Sequence, residues 1–68
     1  MSKPHASIHL IACSPQERSI TFAVDGKRWE YILPTPAMVD SAVYLARRVS
    51  IGKAFAYAKG CAKKEIAA

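Results

Sequence analysis

Apolar and polar residues alternate singly through the first half of this chain and recur with a helical period through the second. From Ser7 to Cys13, the alternation places Ile8, Leu10 and Ala12 on one side and His9, Ile11 and Cys13 on the other. Ser14-Pro15-Gln16-Glu17 interrupts it with turn chemistry. From Ser19 to Val24 the pattern resumes, with Ile20, Phe22 and Val24 against Ser19, Thr21 and Ala23. Asp25-Gly26 then predicts a type I′ hairpin, whose two central residues both need positive φ. Lys27 to Leu33 returns with Trp29, Tyr31 and Leu33 on one face and Arg28, Glu30 and Ile32 on the other. These segments predict a three-stranded antiparallel meander.

Pro34-Thr35-Pro36 ends the strands, because proline gives a ladder no donor and restricts the residue before it. The same residues predict a helix start: Thr35 suits the N-cap, Pro36 the first helical position, and Asp40 is expected to favour the positive end of the dipole. At about 100° per residue, Met38, Val39, Ala42, Val43, Leu45, Ala46 and Val49 fall on one arc, with Ser41, Tyr44, Arg47 and Arg48 opposite. Ser50-Ile51-Gly52 breaks this helix, and Ser50 can cap a second one running to about Glu65. There Ile51, Phe55, Ala58, Ala62 and Ile66 share one face, while Lys53, Tyr57, Gly60 and Lys64 lie opposite. The expected fold is α+β: a three-stranded antiparallel β-meander followed by one amphipathic helix and a second, basic C-terminal helix.

Sixty-eight residues allow one domain and a small core, whose stability self-association often supplements. No apolar run approaches the roughly 18 residues needed to span a bilayer. No secretory leader is read at Met-Ser-Lys-Pro-His, and a cytoplasmic location is expected. On that compartment argument, Cys13 and Cys61 are expected to be free, buried thiols rather than a disulfide.

Charge changes the picture most. Residues 1–40 balance Lys3, Arg18, Lys27 and Arg28 against Glu17, Asp25, Glu30 and Asp40. Residues 41–68 set Arg47, Arg48, Lys53, Lys59, Lys63 and Lys64 against Glu65 alone, which accounts for the whole net charge of +5. Clustered cations raise the local potential and steer polyanions.

The order Ile20-Thr21-Phe22, Asp25-Gly26, Trp29-Glu30-Tyr31, Leu33-Pro34, then a helix and Ser50-Ile51-Gly52-Lys53-Ala54-Phe55, resembles the KTSC domain. That domain is named for the C-terminal domain of some lysyl-tRNA synthetases and also occurs as a free-standing bacterial protein. The resemblance covers about residues 8–58 and implies a meander-plus-helix fold, with RNA binding suggested. It makes residues 1–68 a single KTSC-like domain with a Lys-rich extension at 59–68. Trp29 stands where the family has a tyrosine, and the extra proline at 34–36 and the Lys-rich tail have no counterpart.

The chain therefore reads as a small basic binding module, not an enzyme. No Ser or Cys nucleophile has an adjacent histidine, no carboxylates pair, and no glycine-rich phosphate loop is present. Ser50-Ile51-Gly52-Lys53 lacks the upstream glycine of such a loop, although a helix start beside a lysine suits one phosphate. No cofactor, metal or small-molecule substrate is expected; His5, His9 and Cys13 recur every four residues, but on a strand they spread apart rather than converge. The expected partner is RNA or single-stranded nucleic acid, with Arg47, Arg48, Lys53, Lys59, Lys63 and Lys64 for phosphates and Tyr44 and Tyr57 for stacking. The alternative is a protein-interaction module, of a phage or mobile-element kind, that docks on a host protein or forms a homodimer. Trp29 and Tyr31 read either as a stacking platform or, better, as core beneath the first helix with Phe22 and Leu33.

Overall fold

The computed structural model describes residues 7–67. In chain order the elements are β1 (Ile8–Ser14), β2 (Ser19–Val24), β3 (Lys27–Ile32), α1 (Pro36–Arg48), α2 (Ile51–Cys61) and β4 (Lys64–Ala67). All four strands form one antiparallel sheet in the order β1-β2-β3-β4.

The predicted turn chemistry is realised at Asp25-Gly26, where φ is 52° and 84°, as a type I′ turn demands. Asp25 also closes the sheet's first corner: its Oδ1 accepts from the Ser7 amide at 2.9 Å while its own amide donates to the Ser7 carbonyl at 2.8 Å. At the other corner the β1–β2 turn ends with Arg18 in the left-handed region, φ 58°. The Arg18 carbonyl accepts from Leu33 at 2.7 Å, tying that turn to the end of β3.

One register feature corrects the alternation expected in β1. Leu10 pairs with Phe22 and Ala12 with Thr21, so two steps of β1 oppose one step of β2. Ile11 is the extra residue of this bulge and is 46% exposed. A bulge shifts every later side chain to the other face. Ala12 therefore joins His9 on the open face, and Cys13, paired with Ile20, joins Ile8 and Leu10 on the helix-covered one. Cys13 lies on an edge strand and is exposed, not buried as expected; both it and Cys61 are free thiols.

In α1, Thr35 is extended and its Oγ1 accepts from the Met38 amide at 3.4 Å, with Pro36 in the first turn. Val39 and Ala42 are its fully buried residues. Asp40 lies beyond the first turn, where the dipole's pull has largely faded. Val49, expected on the apolar arc, is the C-cap residue and is 53% exposed, because the chain turns there toward α2.

The second helix departs most from expectation. Ser50 caps it as predicted, its Oγ accepting from the Lys53 amide at 3.1 Å. However, α2 stops at Cys61, and Ala62 is extended at φ −63°, ψ 135°. The Lys63 amide then donates to the Ile32 carbonyl at 2.8 Å, and β4 adds to the free edge of β3 with Ile32↔Lys64, Tyr31↔Glu65, Glu30↔Ile66 and Trp29↔Ala67. A helix continued to Glu65 would gain only marginal local stability, whereas the edge of β3 supplies a ladder of backbone hydrogen bonds. The last part of the Lys-rich segment, Lys64–Ala67, is thus a sheet strand, and Ile66 and Lys64 are not helical.

Both helices lie on one face of the sheet. Ile20, Phe22, Tyr31, Leu33, Val39, Ala42, Ala54 and Ala58 form the buried core. At its centre three rings meet edge to face: Phe22 and Phe55 at 5.4 Å, Tyr31 and Phe55 at 5.9 Å, Phe22 and Tyr31 at 6.3 Å. Tyr31 is core as favoured, but the ring that meets it comes from α2, not α1. The alanines at 54 and 58 bring the α2 backbone close enough for Phe55 to reach both sheet aromatics. Among the strands, the helices come closest to β1.

Candidate nucleic-acid interface

All six cations expected to meet phosphates are exposed: Arg47, Arg48, Lys53, Lys59, Lys63 and Lys64. The chain path divides them. Arg47 and Arg48 occupy the last turn of α1, where cations complement the helix dipole. Lys53 lies in the first turn of α2, across the two-residue connection Val49-Ser50. That turn has no acidic residue, so Lys53 sits at a positive helix end without local compensation. Tyr44 is 60% exposed one helical turn before Arg48, on the same side of α1. Tyr44, Arg47, Arg48 and Lys53 thus gather around the junction of the helices.

The second group lies at the far end of α2. Lys59 is about 9 Å further along the helix axis than Lys53, at 1.5 Å per residue. Its Nζ stands 5.8 Å from the Phe55 ring centroid, so this ammonium already has a π-face beneath it. Lys63 lies in the connection and Lys64 begins β4; neither belongs to a helical surface, which corrects the expected placement. Tyr57, expected on the polar side of α2, is half-buried and packs against the core, because the α2 face turned to the sheet is wider than its alanines suggest. Its ring offers less area for stacking than that of Tyr44.

Glu65 is the one carboxylate of the basic half, and it has a partner. The Tyr31 hydroxyl donates to its Oε2 at 2.8 Å. Burial, then the hydrogen bond to Glu65 and that carboxylate's negative charge, push the Tyr31 hydroxyl well above the ordinary tyrosine range.

Trp29, expected to be core rather than a stacking platform, is only partly covered. It pairs with Phe22 on β2 and Ala67 on β4, packs against the core, and remains partly exposed. An open depression of about 430 Å³ lies beside it, lined by Gly26, Lys27, Arg28, Trp29 and Ala67. Two parts of this were legible from sequence: the Asp25-Gly26 turn, and cations immediately before an aromatic strand residue. The small residue at 67 that opens the flank was not, because the helical pattern expected up to about Glu65 hides the strand that carries it.

Among the described residues, no three or more His, Cys, Asp or Glu side chains gather as a metal would require, and His5 lies outside those residues. No helix among the described residues is long and apolar enough to cross a membrane. Comparison with family models, curated proteins and solved structures yields no match. The likeness to the KTSC domain therefore rests on the sequence motifs alone.

Proposed function

We propose that this chain is a non-enzymatic binding module for RNA or single-stranded nucleic acid. The observation that carries the reading is the concentration of exposed cations after residue 40, with the only carboxylate there engaged by Tyr31. Arg47, Arg48 and Lys53 hold phosphates at the helix junction, and Tyr44 stacks on an unpaired base beside them. Lys59, Lys63 and Lys64 extend the positive surface toward β4, and Tyr57 contributes the smaller part of the stacking. Single strands are favoured over duplex because stacking on a side chain needs a base free of its partner. The resemblance to the KTSC domain supports the same direction.

The test is a titration of labelled single-stranded RNA at several salt concentrations. For a single strand, log affinity should fall against log salt with a slope of about −0.7 for each phosphate neutralised. A flat slope, or no binding at low salt, overturns the reading.

One observation favours a protein partner instead. The sheet face opposite the helices carries Ala12, Thr21, Ala23, Ile32 and Ile66 among Arg28, Glu30 and Lys64, and no described element covers it. Recovery of one stoichiometric protein after nuclease treatment, or a dimer in light scattering, would select that reading.

A further inference from the structure

We infer that the depression beside Trp29 is a subsite for one nucleotide, its base stacked on the indole and its phosphate met by Lys27. The inference rests on the proposed single-strand binding and adds to it a site away from the helix junction. Three features of the fold create the subsite. Trp29 lies on the helix-covered face, but the helices come closest to β1, at the other side of the sheet, which leaves the indole partly open. On β4 its pairing partner is Ala67, whose methyl group covers little of a neighbouring ring. The type I′ turn then brings Lys27, exposed and paired with Val24 on the indole's face of the sheet, to the rim of the same depression.

The chemistry of the lining selects the ligand. An aromatic face with an adjacent cation suits a flat, uncharged ring bearing an anion, which describes a nucleotide. Among the described residues, no carboxylate lines the depression to repel it. Inorganic phosphate would engage Lys27 alone and leave the indole untouched.

Trp29 is the chain's only tryptophan, so its emission reports this subsite and no other. The experiment titrates the full chain with a short oligouridylate, following tryptophan fluorescence and, with a labelled copy, anisotropy. The expected result is saturable quenching whose midpoint matches the anisotropy curve, and none with inorganic phosphate. Ala67→Leu, a substitution on an exposed edge strand, should fill the depression and weaken binding roughly tenfold while α-helical circular dichroism is retained. Lys27→Ala should shift the quenching midpoint in the same direction. Full anisotropy binding without quenching overturns the subsite and leaves the proposed function standing. Quenching by phosphate equal to that by oligouridylate also overturns it, and absence of any binding overturns both.

Discussion

The Tyr31 hydroxyl donates a 2.8 Å hydrogen bond to the Glu65 carboxylate, 34 residues away, and so fastens the end of the chain to the centre of the core. Tyr31 and Glu65 are also direct cross-strand partners in the β3–β4 ladder. The bond therefore fixes β4 in register as well as in place. It joins stability to function too, since it gives the one acidic group of the basic half a partner inside the fold.

Alkaline sensitivity follows from the state of that hydroxyl. A tyrosine whose titration is raised on folding stabilises the native state in its protonated form. Its contribution is complete below the unfolded value near 10 and is lost as pH climbs above it. Urea denaturation from pH 8 upward should show stability falling beyond about pH 10. In Tyr31→Phe that fall should be shallower, with a loss of about 1 kcal/mol at neutral pH from the missing hydrogen bond. Parallel pH profiles for the two proteins would contradict this.

The two ends of α2 show what was readable in the chain and what was not. Ser50 as cap and Asp25-Gly26 as turn were legible because each solves a local backbone problem that few residue types can solve. Thr35 and Pro36 were legible for the same reason. The end of α2 was not, since Ala62-Lys63-Lys64-Glu65 is compatible with a helix locally. What decides it is the free edge of β3, more than 30 residues earlier in the chain. The bulge at Ile11 has a similar cause: it appears only in the pairing of Leu10 and Ala12 with Phe22 and Thr21. For the candidate interface, charge was legible as composition, but its division into two groups depended on where α2 stops.

Two glycine substitutions should act in opposite directions. At Gly26, φ is +84° and an added Cβ meets nothing within 4 Å, so the cost of Gly26→Ala is conformational alone. It should destabilise by about 1–2 kcal/mol. Gly60 sits in α2, exposed, with equally open space around it. Gly60→Ala should stabilise by up to about 1 kcal/mol. Thermal melts of the pair check both signs, and equal signs would refute the backbone account.

Ala58 tests how closely α2 must approach the sheet. It is fully buried, one turn from Ala54, on the helix that carries Phe55 to Phe22 and Tyr31. Ala58→Leu forces the helix outward and should cost about 1–3 kcal/mol by overpacking. Denaturant unfolding should show that loss, whereas an unchanged midpoint would mean the interface is loosely packed.

The two groups of cations should not weigh equally in binding. Arg47, Arg48 and Lys53 are exposed around a helix junction that offers them no carboxylate. Lys59 instead rests over the Phe55 ring, and Lys64 adjoins Glu65 in β4. Replacing Arg47, Arg48 and Lys53 together with alanine should therefore reduce the salt slope by about 2, the value for three phosphates on a single strand. The corresponding triple replacement of Lys59, Lys63 and Lys64 should reduce it by less. Glu65→Gln should tighten binding at low salt, because it removes a negative charge beside the second group, and the gain should shrink as salt is added. Anisotropy titrations of the three variants separate these outcomes. A larger slope change from the second triple variant would move the centre of the interface from the helix junction to β4.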